Sequence, residues 1–311
     1  MEERKVLVTG GAGFIGSWLC RRLAEENMKV ICVDNFTSSD RKNLDYLNVA
    51  NVNCIEHDIK HPLKLEVDYI FHLASRASPI DFPKYPIDIL LTNSLGTYNM
   101  VELAVLNHAK FLLASTSEAY GDPLQHPQNE EYWGNVNPNG IRSCYDESKR
   151  FSEALAMAFH REKSLDVRIA RIFNTYGGRM RKDDGRVISN FISQALVNEP
   201  VTVYGDGTQT RSFCYVTDMV EGMMKFAFTD NLGGEVINLG NPHEVNMLQV
   251  AELVIKLTGS DSKIVFKPLP QDDPIKRKPD ITKAREKLNW EPRIGLEEGL
   301  RKTIRYFDSI Q

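Results

Sequence analysis

The stretch "KVLVTGGAGFIG" near the N-terminus constrains the fold of this chain more than any other feature. Residues 5–9 form an apolar run, and the glycines at positions 10, 13 and 16 precede a segment with helical periodicity. A buried strand, a tight glycine turn and a helix are the elements that open a parallel α/β sheet. Because glycine triplets also occur in ordinary strand–turn–helix connections, the rest of the chain decides whether this one binds a dinucleotide.

Apolar runs and helical stretches alternate through the first half of the chain, and this alternation predicts the fold class. Several of the runs are hydrophobic on both faces, which is typical of strands in a parallel sheet covered on both sides. We therefore predict an α/β protein with a doubly wound parallel sheet. The predicted strands are 5–9, 29–35, 52–58, 69–75, 110–116 and 166–174, and the predicted helices are 17–27, 87–107 and 145–163.

The pattern changes after the sixth predicted strand, where loops lengthen and glycine and proline become more frequent. We predict a first lobe over residues 1–174 and a smaller α/β lobe over 175–212 and 238–311. Residues 213–237 are predicted to return to the first lobe through a helix at 215–228. A ligand cleft between the lobes is the expected consequence.

Composition argues against several function classes. The 311 residues carry a net charge of −4, so no basic excess predicts nucleic-acid binding. No apolar stretch is long enough for a signal peptide or a membrane span, and we expect a cytoplasmic protein with no membrane partner. The five cysteines are scattered with no C-x-x-C pair, which indicates reduced thiols and no metal site.

Acidic residues at the ends of the second and third predicted strands point to a dinucleotide. Asp34 lies where a carboxylate accepts hydrogen bonds from the adenosine ribose, and it would repel the extra phosphate of NADP. We therefore predict NAD, although Arg41 and Lys42 lie close by in the sequence. Asp58 is predicted either to bond the adenine amino group or to cap a turn.

The motif "YDESK" places Tyr145 and Lys149 one helical turn apart, on the same face of a predicted helix. A phenol titrates near pH ~10, and an adjacent ammonium lowers its pKa, as would the positive nicotinamide of bound NAD. Tyr145 is then predicted to remove a proton from a substrate hydroxyl, while Lys149 also bonds the nicotinamide ribose. Thr116, at the end of a predicted strand, is placed to bond the same hydroxyl. The plain alternatives are a solvated helix face for the pair and a cap for Thr116.

Three motifs in the expected order, "GGAGFIG", "STSEAYG" and "YDESK", resemble those of the extended short-chain dehydrogenase/reductase superfamily that acts on nucleotide sugars. Longer stretches, including "RIFNTYGGRM", "TQTRSFCYV" and "QDDPIKRKPD", resemble its UDP-glucuronate decarboxylase family. The resemblance implies an extended Rossmann fold with a second, smaller lobe, tightly held NAD and a homodimer packed through long helices. One departure is Arg76 in "LASRASP", where that family usually has proline.

The motifs and the resemblance together imply which residues contact NAD. Some belong to the glycine turn, some follow the predicted strands, and two belong to the "YDESK" helix. The set is Gly10, Gly13, Phe14, Ile15, Gly16, Asp34, Asn35, Asp58, Ile59, Leu73, Ala74, Tyr145 and Lys149.

The segment Thr116–Ser117–Glu118 separates three related reactions, all of which begin with hydride transfer from sugar C4 to NAD. A 4,6-dehydratase expels water and needs a general acid beside a general base, and its segment usually reads Thr-Asp-Glu. A 4-epimerase only returns the hydride to the inverted ketosugar, and its segment lacks the glutamate. Ser117 cannot act as a carboxylic acid, and a decarboxylase needs none because the 4-ketone makes the substrate a β-keto acid. We therefore predict UDP-glucuronate decarboxylation, with the dehydratase or epimerase reaction as the alternative.

Glu118 is predicted to repel the substrate carboxylate and to orient a water that reprotonates C5. Its plain alternative is a carboxylate paired with a nearby arginine, and that of Ser117 is a small polar filler. A non-catalytic NAD-binding regulator is disfavoured because both Tyr145 and Lys149 are present.

An anionic nucleotide sugar needs placed cations, and arginine suits this task because it bonds two oxygens at once. By resemblance, Arg211 holds the pyrophosphate, Arg277 faces the sugar carboxylate and shares in catalysis, and Asn174 bonds a phosphate. Arg186 is expected near the nucleotide, and Tyr204 is expected either to stack on uracil or to pack in the core.

Overall fold

The computed structural model describes residues 4–269 and 276–310, which form fourteen strands and nine α-helices. The strands are β1 (Lys5–Thr9), β2 (Lys29–Asp34), β3 (Val52–Glu56), β4 (Tyr69–His72), β5 (Lys110–Thr116), β6 (Val167–Ile172), β7 (Thr175–Tyr176), β8 (Val201–Tyr204), β9 (Thr210–Ser212), β10 (Cys214–Tyr215), β11 (Val236–Leu239), β12 (Glu244–Asn246), β13 (Ile264–Lys267) and β14 (Lys276–Arg277). The helices are α1 (Phe14–Glu25), α2 (Pro86–Leu91), α3 (Thr97–Asn107), α4 (Ser143–Lys163), α5 (Val187–Leu196), α6 (Val216–Phe228), α7 (Met247–Thr258), α8 (Thr282–Leu288) and α9 (Leu296–Ser309).

A seven-stranded parallel sheet in the order β3-β2-β1-β4-β5-β6-β11 forms the centre of the molecule. Alternate side chains of β1 serve opposite faces: Val6 and Val8 belong to one apolar cluster, and Leu7 belongs to another. The first cluster includes residues of α1 and α6, and the second includes residues of α3 and α4. The predicted doubly wound α/β sheet is therefore confirmed.

The predicted strands occur in the expected order, and the differences lie at the ends of elements. Helix α1 begins at Phe14 instead of residue 17, because Gly13 is already its N-cap in extended conformation. The helix predicted at 87–107 is divided into α2 and α3 by a wider turn at Thr92–Gly96. Within residues 4–269 and 276–310, no helix combines the length and apolar character that crossing a bilayer requires.

Short strands beyond β6 build the wall that faces the carboxyl ends of the central sheet. In the small sheet β12-β9-β14, the parallel register places Arg277 beside Arg211. Two cations that lie far apart in the chain thus become neighbours. The first part of the motif "QDDPIKRKPD", residues 271–275, lies outside the described residues.

Helix α6 returns to the central sheet, where it packs against α1, and β11 then pairs with β6. The fully buried side chain of Arg168 on β6 holds the C-terminal end of this helix against the sheet. Its Nη1 donates hydrogen bonds to the carbonyl oxygens of Phe226 and Ala227 in the last turn of α6 and of Thr229 just after it, where helical carbonyls lack partners within the helix. Its Nε and Nη2 each donate to the Asp166 carboxylate at 2.9 Å.

We expect Arg168→Met to destabilise the fold by about 3–5 kcal/mol, because it leaves the buried carbonyls and a carboxylate without their donor. Thermal unfolding measures the change. The matched control is Arg285→Met, which removes an arginine from an exposed pair with Glu291 and should cost at most about 1 kcal/mol. Equal losses for the two variants would contradict the capping role of Arg168.

Candidate active site

A large cavity lies at the carboxyl ends of the central strands, next to the point where the sheet order reverses between β1 and β4. Ligands of doubly wound sheets bind in this crevice. The cavity is lined by nearly all of the predicted site residues: Gly10, Gly13, Phe14, Ile15, Gly16, Asp34, Asn35, Ile59, Leu73, Ala74, Thr116, Ser117, Glu118, Tyr145, Lys149, Asn174, Arg186, Tyr204, Arg211 and Arg277.

The glycine turn leaves no room for side chains at two positions. Gly10 has φ +66°, and a Cβ there would lie 2.9 Å from the Cα of Ala74. A Cβ on Gly16 would lie 2.1 Å from the carbonyl oxygen of Gly10. The turn can therefore pack this closely only as glycine, and it presents the N-terminus of α1 to the cavity as a site for phosphate.

Asp34 ends β2 and is held by three donors. Its carboxylate accepts hydrogen bonds from the amides of Ala12 at 3.1 Å and Phe36 at 2.9 Å, and from the Ser39 hydroxyl at 2.8 Å. Arg41 is directed away from any second phosphate, because it pairs with the exposed Glu56 at 2.8 Å. These contacts fit an unphosphorylated ribose and hence NAD.

Asp58 differs from the other predicted cofactor residues. Its neighbours His57 and Ile59 line the cavity, whereas its own carboxylate accepts a hydrogen bond from Asn35 at 3.3 Å and pairs with Lys60. Asp58 is thus not among the described residues that line the cavity. Its contact with adenine stays a prediction, and the observed contacts match the turn-stabilising alternative.

Tyr145 and Lys149 project from the first turns of α4 toward the end of β5. The side chains of Tyr145 and Thr116 lie close enough for Thr116 to influence the pKa of the phenol, and the ring of Phe82 stacks on that of Tyr145 with centroids 5.0 Å apart. The Lys149 ammonium donates to the Ala114 carbonyl oxygen at 3.0 Å. The three predicted residues therefore meet at one wall of the cavity.

The protein's own groups do not produce a low pKa for Tyr145. Burial raises its pKa to about 12, and the Thr116 side chain opposes this change only in part. Burial also lowers the pKa of Lys149 to about 8, against the attraction of Glu153. The lowering expected from an adjacent ammonium is thus outweighed by desolvation in the protein itself.

Glu118 lies beside this triad and is held by two arginines. Its Oε1 pairs with Arg277 of β14, and its Oε2 accepts a hydrogen bond from the Arg142 Nη2 at 2.6 Å. Burial alone would raise the pKa of Glu118, but the charges of Arg277 and Arg142 lower it to about 2. Glu118 is therefore ionised at neutral pH. This matches the alternative that the sequence offered for Glu118, a carboxylate paired with a nearby arginine.

Arg142 and Asp146 form part of this cluster, and the sequence interpretation missed both. Asp146 follows Tyr145 in α4, is 6% exposed, and lies 3.9 Å from the Arg142 Nε. Burial and the charge of Glu118 raise its pKa to about 8. A basic residue three positions before the tyrosine was the available signal, since α4 brings that position beside Glu118.

Three residues that line the cavity have a buried side-chain nitrogen atom with no hydrogen-bond acceptor among the described residues: Asn174, Arg179 and Arg277. Two of these atoms, the Asn174 Nδ2 and the Arg277 Nε, belong to residues that the sequence assigned to the substrate. Unpaired buried donors are costly, so both suit the anionic oxygens of a ligand. This finding fits the phosphate and carboxylate roles expected of Asn174 and Arg277.

Arg186 and Tyr204, the remaining predicted substrate residues, also line the cavity, but their contacts and exposure differ. Arg186 donates to the Ala77 carbonyl oxygen at 3.0 Å, and Tyr204 is 39% exposed at the rim. Arg76, the departure from the family pattern, lies at the wall and pairs with Asp88 at 2.9 Å. The described parts of the chain contain no group of three or more acidic, histidine or cysteine side chains that could hold a metal ion.

Comparison with known proteins finds relatives over nearly the whole chain. UDP-glucuronic acid decarboxylase 4 of Arabidopsis thaliana is 54% identical over 97% of this chain and 68% of its own length. UDP-glucuronic acid decarboxylase 1 of Danio rerio is 51% identical over 98% of this chain and 73% of its own length.

Solved structures with the same fold carry several names. The UDP-glucose 4-epimerase of Thermotoga maritima, solved with UDP-glucose, is 33% identical with a TM-score of 0.90, over 98% of this chain and 99% of that one. The UDP-glucuronic acid 4-epimerase of Bacillus cereus, solved with UDP-glucuronic acid and NAD, is 28% identical with a TM-score of 0.88, over 99% and 100%.

A family model covers most of the chain as well. It describes the NAD dependent epimerase/dehydratase family and matches residues 6–240, the segment that contains the central sheet, the glycine turn and the tyrosine–lysine pair. The geometry of the cavity and these similarities agree, and the chain belongs to the NAD dependent epimerase/dehydratase family.

Proposed function

We propose that this protein is a UDP-glucuronate decarboxylase that converts UDP-glucuronate into UDP-xylose and CO2. The observation that carries the proposal is Arg277, which reaches from β14 to Glu118 beside Ser117 and Tyr145. A cation is thus available for the sugar carboxylate, and the residue between Thr116 and Glu118 is not an acid. The names of the relatives at 50–54% identity support the same reaction.

The two predicted lobes supply the two halves of the binding site. Residues 1–174 with 213–237 would hold NAD through the glycine turn, Asp34 and Lys149. Residues 175–212 and 238–311 would hold the nucleotide sugar, in part through Arg211. Bound NAD would supply the acceptor for the hydride of sugar C4 and the donor that restores it.

Tyr145 removes the proton of the C4 hydroxyl, and Thr116, which lines the cavity beside it, bonds the same hydroxyl. A phenol whose pKa is about 12 in the protein alone needs added positive charge nearby to act as a base. Lys149, one turn along α4, and the positive ring of bound NAD both favour the phenolate. Burial lowers the pKa of Lys149 only to about 8, so at pH 7 most of the lysine keeps the ammonium charge that favours the phenolate.

Loss of CO2 follows from the 4-ketone. The bond between C5 and the carboxyl carbon breaks, its electron pair moves into the C4 carbonyl, and an enolate forms. Arg277 leaves Glu118 to hold the sugar carboxylate, while Arg142 remains as the partner of Glu118 and prevents an isolated charge. Glu118 orients the water that protonates C5. Ser117 is not a carboxylic acid, and the loss of CO2 needs no general acid at this position.

Incubation of the NAD-loaded protein with UDP-glucuronate tests the function directly. We expect one CO2 for each UDP-xylose, identified by mass spectrometry and proton NMR of the nucleotide sugar. Conversion of UDP-glucuronate to its 4-epimer with no CO2 would contradict the proposal in favour of an epimerase. Turnover of UDP-glucose or dTDP-glucose to a 4-keto-6-deoxy sugar, with UDP-glucuronate untouched, would instead indicate a dehydratase.

The phenol of Tyr145 can be tested by Tyr145→Phe. We expect the rate of CO2 release to fall by about 10²–10⁴-fold, because the base for the C4 hydroxyl is gone while the stacking on Phe82 remains. The matched control is Tyr98→Phe, since this ring lies on α3 and is 45% exposed. Full activity of Tyr145→Phe would reject the catalytic assignment.

We also propose that the protein is a cytoplasmic homodimer. Helices α2, α3 and α4, together with the turn Thr92–Gly96 that joins α2 to α3, expose apolar side chains that a second copy of the chain would cover. The enzymes that the sequence resembles pair through long helices. These are Ile87, Leu91, Leu95, Tyr98 and Phe151, each at least 44% exposed. The cysteines Cys20, Cys32, Cys54, Cys144 and Cys214 are all free thiols, which supports a reducing compartment.

Light scattering coupled to size exclusion tests the dimer. We expect twice the chain mass for the wild type, and a shift toward the chain mass for Leu95→Glu, because a buried unpaired carboxylate opposes association. Leu124→Glu is the matched control, since Leu124 is 84% exposed in a loop. A monomeric wild type would rule out the proposed dimer.

A further inference from the structure

Arg76 lines the cavity, and the proposed function gives it no role. Its Nε donates a hydrogen bond to the Asp88 Oδ2 at 2.9 Å, and its guanidinium lies over the ring of Tyr85, 4.2 Å from the centroid. Its two Nη atoms have no hydrogen-bond acceptor within residues 4–269 and 276–310. Because the side chain is only 10% exposed, the cation is held in place while one edge of it keeps its donors unused.

The partner of Arg76 shows toward which side of the cavity the guanidinium is turned. Asp88, on α2, also pairs with the Lys60 ammonium at 2.5 Å, and Lys60 pairs with Asp58 at 3.3 Å. Asp58 in turn accepts a hydrogen bond from Asn35, which follows β2. Burial would raise the pKa of Asp88, but Lys60 and Arg76 lower it, so Asp88 is ionised at neutral pH. The contacts thus connect Arg76 to the half of the site that follows β2 and β3, on the other side of β1 and β4 from β5.

The glycine turn lies next to the segment that carries Arg76. The backbone of Ala74 approaches Gly10 so closely that a Cβ on the glycine would lie 2.9 Å from the Ala74 Cα. Two residues span at most about 7 Å, so Arg76 starts close to the phosphate site at the N-terminus of α1. Ser75, between them, lines the cavity, and its buried Oγ has no hydrogen-bond partner in the described parts of the chain. Two adjacent residues therefore keep polar groups unused at one place, as a ligand site requires.

We propose that Arg76, with Ser75 beside it, binds the pyrophosphate of NAD and completes the site that the glycine turn begins. An arginine edge bonds two oxygens at once, and a pyrophosphate offers several anionic oxygens. The bond to Asp88 and the ring of Tyr85 hold the guanidinium before the cofactor arrives, so little side-chain freedom is lost on binding. The inference concerns the cofactor alone and holds whichever sugar the protein converts.

The rate at which NAD leaves the loaded full-length protein measures this contact. Labelled NAD on the protein is chased with an excess of unlabelled NAD. We expect Arg76→Met to speed release by about 10–100-fold, because a hydrogen-bonded pair of ions is lost. Asp88 keeps Lys60 as its partner in this variant, so no carboxylate is left isolated. Arg76→Lys keeps the positive charge without the two-nitrogen edge, and it should speed release by about 3–10-fold even if Arg76→Met fails to fold.

Two control variants separate a contact with NAD from a structural role. Arg41→Met removes an arginine that pairs with the exposed Glu56, and release should change by less than about twofold. Asp88→Asn weakens the bond between α2 and Arg76 but leaves the guanidinium in the protein, and release should speed up by less than about threefold. If Asp88→Asn released NAD as fast as Arg76→Met, Arg76 would act only by holding α2, and the inference would be wrong.

Two further ligands show which anion Arg76 binds. ADP-ribose has the same pyrophosphate and no nicotinamide, so its affinity relative to NAD, measured by competition, should change by less than about twofold in Arg76→Met. A larger change would place the contact at the nicotinamide end. The Kd of the NAD-loaded variant for UDP-glucuronate should also stay within about twofold of the unmutated value.

The remaining outcomes contradict the inference or leave it distinct from the proposed function. A tenfold loss of UDP-glucuronate affinity with unaltered release of NAD would assign Arg76 to the sugar. Unaltered release in both Arg76→Met and Arg76→Lys would reject a contact with the cofactor. If the unmutated protein does not bind UDP-glucuronate, the proposed function fails, and the release of NAD still decides the role of Arg76.

Discussion

The carboxylate of Glu118, shared by two arginines, is the interaction on which the arrangement of the cavity depends. An enclosed charge of this kind is stable only while its partners stay in place. Arg142 comes from the start of α4. Arg277 comes from β14 and lies 159 residues after Glu118 in the chain. The pair between Glu118 and Arg277 therefore fixes how the second half of the chain sits over the end of the central sheet.

The parallel sheet explains why the reactive groups meet at all. Strand β5 ends at Thr116, and the turn after it delivers Ser117 and Glu118 to the same edge as the glycine turn after β1. Helix α4 packs against this edge, which brings Tyr145 to Thr116. Burial at this edge of the sheet disfavours the charged form of every ionisable group. The cavity therefore needs cations and anions that pair with one another, because an isolated charge would be costly there.

The sequence predicted the sheet and the order in which its strands appear, and nearly all of the residues that it assigned to the site line the cavity. Those predictions succeed because the apolar strands, the glycine spacing and the tyrosine–lysine pair are local patterns. The division of the long helix at Thr92–Gly96 has no such local signal, since no glycine or proline begins it. The sequence also left the role of Asp58 open between an adenine contact and a turn cap, because the direction of its carboxylate depends on Lys60 and Asn35.

The charge cluster could not be derived from the sequence for a different reason. Its members come from segments that are adjacent only after folding. The charges of Arg277 and Arg142 lower the pKa of Glu118, whereas burial and the charge of Glu118 raise the pKa of Asp146. Sequence interpretation assigned Glu118 and Arg277 separate roles, whereas the structure shows them as partners. The sequence therefore predicted which residues line the cavity better than it predicted how their charges interact.

A crystal structure of the protein with NAD and UDP-glucuronate, in a variant that cannot turn over, tests the central claim most directly. The account predicts that the Arg277 guanidinium moves from Glu118 to the sugar carboxylate, while the Arg142 Nη2 stays within hydrogen-bond distance of the Glu118 Oε2. A structure in which Arg277 keeps Glu118 and the sugar carboxylate lies against other groups would contradict it.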